Sequence, residues 1–202
     1  MKAIRSGLVL VVVCVLSGCV TSYALVAPGA VDLSGLQVTP GASWNLAPPA
    51  VMPASRKNTQ VWTKDGLLLD RLVIIPGVPD GETIVVSRDD AAALPVFRAD
   101  MLPNEIEELT ESSIVKLFGE GSVSVSTRDL RPHRYGDHRG ILFNLDVAVS
   151  DGPDYKGLAG SFIVDGTLYL MMYFGVETYY YDKHLVEAEA VISGARLVGS
   201  SG

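Results

Sequence analysis

The sequence predicts an α+β protein, an antiparallel β-sheet packed by two helices. Three patterns carry that expectation. Apolar residues alternate with period two through most of residues 122–175, they recur at helical spacing near 102–117 and 182–197, and Asp-Gly pairs punctuate the alternating stretches. The chain of 202 residues is 48% hydrophobic, enough for a core that buries about 70% of the unfolded surface at this length.

The N-terminus is of a different kind. Lys2 and Arg5 precede an unbroken apolar run from Leu8 to Leu16. Nine helical residues rise only about 14 Å, half the hydrocarbon thickness, which fits a secretory signal peptide better than a membrane span. The run ends in Leu16-Ser17-Gly18-Cys19, which resembles the lipobox of bacterial lipoproteins. That resemblance implies cleavage after Gly18, diacylglycerol on the Cys19 thiol and acylation of the new amine, with palmitate-type chains as the lasting membrane anchor. Residues 1–18 are therefore expected to leave, taking Cys14 with them and shifting the formal charge from −7 to −9 through loss of Lys2 and Arg5. The cysteine left behind, Cys19, is blocked by lipid and available neither for a disulfide nor for a metal. Val20 stands where an inner-membrane retention aspartate is found in enterobacterial lipoproteins, so the resemblance points to the outer membrane, with the domain facing the periplasm.

Residues 19–58 hold five of the eleven prolines and read as a Pro/Gly-rich tether, parts of which (35–39 and 43–46) can lie against the domain as edge strands, with Trp44 as a docking anchor. A single globular domain is expected over 59–198, followed by a tail, 199–202. It opens with a hairpin: Gln60-Val-Trp-Thr, a turn at Lys64-Asp65-Gly66, and an apolar strand from Leu67 to Ile75 closed by Pro76-Gly-Val-Pro. A short strand is expected at Thr83–Ser87, then irregular chain to residue 100. Pro103 suits a first helical turn, Glu105, Glu107 and Glu108 favour its positive end, and Leu102, Ile106, Leu109 and Leu117 share one face with Ser113.

Beyond Gly121 four strands follow as a meander. Val123 and Val125 lead the first; Ile141, Phe143, Leu145, Val147 and Val149 share a face of the second; Leu158, Phe162 and Val164 mark the third; Asp165-Gly166 turns it into the fourth, Thr167–Gly175. The fourth is apolar on both faces, with Tyr169, Met171 and Tyr173 on one and Leu168, Leu170, Met172 and Phe174 on the other, so its tyrosine face is expected to form a second core layer. A last helix is expected from about Asp182 to Leu197, burying Leu185, Ala188, Ile192 and Ala195. This order of elements over residues 60–198 resembles the PsbP-like α/β sandwich, a fold whose members mostly serve binding and assembly roles.

Composition excludes some functions. With 16 basic against 23 acidic residues the chain lacks the footprint of a nucleic-acid binder. No nucleophile elbow, P-loop, zinc-protease helix or dinucleotide fingerprint occurs, so the expectation is a non-enzyme without cofactor or metal. The glutamates of the first helix read as a solvated face.

The most distinctive segment is Arg128-Asp-Leu-Arg-Pro-His-Arg-Tyr-Gly-Asp-His-Arg139, which concentrates positive charge on an acidic chain and reads as a hairpin loop. Arginine forks bind carboxylates and phosphates bidentately. Arg128, Arg131, Arg134 and Arg139, with Tyr135 as an aromatic contact, are the candidate surface for an envelope protein or an anionic envelope component; pairing with the domain's own carboxylates is the competing expectation. The function read from sequence is a lipid-anchored accessory module. Two alternatives stand beside it: an envelope hydrolase using His138 and Asp137, and a small-ligand carrier, which needs an apolar cavity between sheet and helix.

Overall fold

In the computed structural model, residues 22–51, 55–86 and 93–198 are described. The signal peptide and Cys19 lie outside them, as does the tail from 199. The strands are β1 (Ala24–Val26), β2 (Val31–Leu33), β3 (Leu36–Val38), β4 (Trp44–Leu46), β5 (Gln60–Thr63) and β6 (Asp70–Pro79), then β7 (Val123–Tyr135), β8 (His138–Val149), β9 (Tyr155–Val164), β10 (Thr167–Val176) and β11 (Arg196–Leu197). Helix α1 (Pro103–Phe118) falls between β6 and β7, and α2 (Tyr180–Ser193) between β10 and β11. One antiparallel sheet runs β1-β4-β5-β6-β10-β9-β8-β7, and a small one runs β11-β3-β2. The α+β expectation holds.

The large sheet is covered on both faces because its central strands are apolar on both. On β10, Met171 and Tyr173 pack with α2 residues Ala188 and Ile192 and with Leu36 and Trp44. Leu168, Leu170, Met172 and Phe174 point the other way, into a layer with Ile106 and Leu109 of α1 and with Ile84 and Phe97. The tyrosine face is thus a core layer. The shared face of β8 is also as expected, Phe143, Leu145 and Val147 lying beneath α1.

Residues 24–47 of the segment expected as a tether are instead built into the fold, and the idea of edge strands within it is the part that stands. Leu36, Val38 and Trp44 are fully buried. β2 and β3 form a hairpin through Ser34-Gly35, both with positive φ (55° and 91°), as a two-residue turn matching the sheet twist requires. Glu187 of α2 fastens this segment: its Oε1 accepts from the Trp44 indole N–H (2.9 Å) and the Ala42 N–H (3.2 Å), while Oε2 pairs with Lys64 Nζ (2.7 Å).

Three boundaries differ from expectation for local reasons. Lys64-Asp65-Gly66 opens a six-residue connection, because the buried Asp70 carboxylate accepts from the N–H groups of Lys64 (2.8 Å) and Asp65 (2.7 Å) and from the Thr63 hydroxyl. β6 runs past Pro76-Gly77 through an irregularity in its pairing with β10, where a bulge spares proline the missing donor. The last helix stops at Ser193; Arg196 and Leu197 gain strand partners in Gln37 and Leu36. Of the strand expected at Thr83–Ser87, the described residues 83–86 show one bridge, Thr83 with Val96, and Ser87 lies outside the described residues.

Helix α1 starts as its sequence suggests. The Glu105 carboxylate reaches back to accept the Leu102 N–H at 2.7 Å, and Gly119 (φ 94°) ends the helix. Its buried stripe is Ile106, Leu109, Thr110, Ser113 and Ile114, so Leu102 and Leu117, both expected within the stripe, lie outside it and are exposed.

Candidate functional site: the arginine hairpin

The arginine segment is not a loop. β7 and β8 pair up to Tyr135 and His138, leaving Gly136-Asp137 as a two-residue turn, with Gly136 supplying the positive φ (59°). Strand formation pairs the inner row of β7 backbone groups with β8, and the outer row and the polar side chains face solvent because β7 is the sheet edge. A bulge at Asp129-Leu130, with Asp129 at φ 58°, resets the register between Arg128 and Arg131.

This geometry splits the cluster. Arg128 Nε donates to Asp146 (2.7 Å) and its Nη1 to Asp129 (2.6 Å), and the hydrogen bond to Asp146 holds its guanidinium proton more firmly than usual. Arg131 lies 3.7 Å from Glu189 on α2 and donates to the Asp129 carbonyl (3.2 Å). Both answer to the domain's own carboxylates. Arg134 and Arg139 do not. They are exposed, directly opposite each other in the register, and have no carboxylate partner among the described residues. Arg134 makes one weak contact, to the Asp137 carbonyl (3.2 Å). The two guanidinium-bearing strands and Pro132, His133 and Gly140 border a shallow surface depression.

Tyr135 corrects its expected role. Its side chain is fully buried, not a surface contact. The ring stacks on Phe162 (4.7 Å), which stacks on Tyr169 (4.9 Å), and the hydroxyl donates to the Ile141 carbonyl (3.2 Å). Burial pushes its phenol well above the ordinary tyrosine range. Gly140 and Gly160 leave the space it occupies, since a Cβ on either would strike the Tyr135 side chain. Those glycines, which face Phe162 and Leu142 respectively in the β8–β9 register, were the sequence signal for a buried aromatic.

The histidines are also structural. His133 Nε2 bonds the Ser193 carbonyl (2.9 Å) at the end of α2, and the His138 ring lies parallel to Phe162 at 6.1 Å. His138 and Asp137 form no hydrogen bond with each other, so the base and orienter that a hydrolase requires are not assembled.

No protein-family model and no curated protein sequence matches the chain. Among solved structures, the chain is similar to the solution structure of cyanobacterial PsbP (CyanoP) from Synechocystis sp. PCC 6803, with a TM-score of 0.56 over 92% of this chain and 98% of that one, at 12% identity. The fold is PsbP-like. The match is longer than residues 60–198 alone can supply, so the PsbP-like unit takes in part of the N-terminal segment as well.

Proposed function

We propose that this chain is a non-catalytic accessory lipoprotein of the bacterial envelope, held through lipid on Cys19, with its PsbP-like domain in the periplasm and the outer membrane as its address. The lipobox resemblance supports the anchor, and the fold is compatible with a binding role. The observation that carries the reading is the Arg134–Arg139 pair. Like charges directly opposite on a ladder cost stability, yet here they stand unneutralised on an acidic chain. An anionic surface of an envelope partner, rich in carboxylate or phosphate, supplies the missing counter-charge and fits between the two forks.

The test is in-cell crosslinking of the tagged full chain followed by mass spectrometry. Arg134→Glu with Arg139→Glu should lose a specific partner, while Arg128→Glu, which disturbs an internal pair, should keep it. Equal recovery from all three proteins would refute the reading. Cys19→Ala should move the protein out of the membrane fraction; continued membrane partition would refute the anchor.

A further inference from the structure

The face of the large sheet that carries α1 is unevenly covered. A single helix about 10 Å wide spans roughly two strands, and α1 packs over β7 at the sheet edge. Over β6 and β10 an apolar cavity of about 1070 Å³ remains. Val73 and Ile75 of β6, Met172 and Phe174 of β10, and Ile114 and Leu117 of α1 line it. At about 1070 Å³ it is slightly larger than the roughly 300–1,000 Å³ of pockets that hold one small ligand.

Three charged side chains stand in this lining: Lys116 pairs with Glu120 and Asp65 with Lys183 and His184, which leaves Arg71 as the one without a charged partner among the described residues. Arg71 is half-buried, with its guanidinium over the rings of Tyr155 (5.1 Å) and Phe174 (5.2 Å), and Nη1 donating to the Leu67 carbonyl (3.3 Å). It has no carboxylate partner among the described residues, and desolvation lowers its pKa. A guanidinium has five N–H donors in a rigid fork. Among the described residues none of its partners is anionic, in surroundings where an unpaired charge is costly.

We infer that this cavity binds a long-chain fatty acid, its hydrocarbon tail along β6 and β10 and its carboxylate on Arg71. Charge complementarity selects this occupant: the cavity offers an apolar trough for the chain and, since Lys116 is already paired with Glu120, one unpartnered cation for a single anionic head. The mouth has a matching character, since Leu68 (78% exposed) and Phe118 (51% exposed) present apolar side chains there. Tyr23 also lines the cavity. It lies four residues from Cys19, a reach of at most about 14 Å. On the proposed anchor, the mouth therefore opens beside the bilayer where fatty acids partition; the cavity and Arg71 do not depend on that anchor, nor on the arginine hairpin.

The experiment uses the purified full chain in phosphatidylcholine vesicles and a photoreactive palmitate, with labelled peptides mapped by mass spectrometry. Labels should fall on β6, β10 and the end of α1, and palmitate should compete at least tenfold better than hexadecanol, which has the same tail and no charge. Arg71→Met should erase that difference. Val73→Phe, which fills the trough and leaves Arg71 in place, should reduce labelling at least fivefold with an unchanged urea midpoint. Labels scattered over the surface, equal competition by hexadecanol in the wild type, or unaltered labelling of Val73→Phe would each overturn the inference. Arg134→Glu with Arg139→Glu should label as the wild type does, which separates this site from the partner surface.

Discussion

Replacing Glu187 by alanine tests whether the N-terminal segment is a structural part of the domain. The carboxylate accepts two N–H donors, one of them the indole of a fully buried tryptophan, and neutralises Lys64, whose side chain is 15% exposed and also sits 4.8 Å from the Trp44 ring. Donors left unsatisfied cost about 1–3 kcal/mol each when buried, and a half-buried lysine losing its partner costs about 1 kcal/mol more. Glu187→Ala should therefore destabilise by about 4 kcal/mol, or lower Tm by about 12 °C in a domain of this size. Glu187→Gln keeps an acceptor for both N–H groups and loses only the ion pair, so about 1 kcal/mol is expected. Urea unfolding followed by tryptophan fluorescence reads both quantities, since Trp44 and Trp62 are the only tryptophans. The reasoning fails if the alanine variant loses less than about 1 kcal/mol, or if alanine and glutamine are equally harmful.

Arg134→Glu alone should stabilise the hairpin by about 0.2–1 kcal/mol, because it turns a like-charge cross-strand pair into an opposite one; a lower urea midpoint would count against the assigned register. Gly175→Ala should cost about 2–3 kcal/mol, since its Cβ would lie 2.5 Å from Tyr181 Cα and 2.6 Å from Tyr181 N, backbone atoms at the start of α2 that a flexible side chain does not cushion. Thermal melting of that variant within 1 °C of wild type, well inside about 2 °C per kcal/mol, would contradict the close approach. The hydrogen bond from Lys183, helped by His184, holds the Asp65 carboxyl below its ordinary value of 3.8 against the desolvation that raises it. The stabilisation is thus present above pH 3.8 and lost as pH falls through the lower folded value. Asp65→Asn should be less stable than wild type near neutral pH, with the gap closing as pH falls below 3.8 and through the lowered folded value; a gap that stays constant as pH is lowered would show that the pair does not act through charge.

Patterns with a short period were readable from residues alone. Leu145 and Val147 of β8, both faces of β10, the Asp165-Gly166 turn and the first turn of α1 follow from alternation, φ preference and helix-dipole logic. The lipobox resemblance is likewise a local reading, and it concerns residues outside the described structure. The arginine segment was visible as a charge anomaly, but its division was not. Which arginine is neutralised depends on a bulge at Asp129 and on Glu189, which belongs to a helix 58 residues further on.

Local pattern determined that this chain makes a helix, a four-strand meander and a second helix, because the burial of one face imposes a period on neighbouring residues. Tertiary structure decided everything that depends on partners distant in sequence. Three-residue strands such as β2 and β3 are too short to show a period and persist because Leu36 and Trp44 find the core, while Trp44 and Glu187 meet across 143 positions. The cavity at Arg71 belongs to the same class. It exists because α1 settles over β7 at the sheet edge, and packing between separated elements fixes that placement.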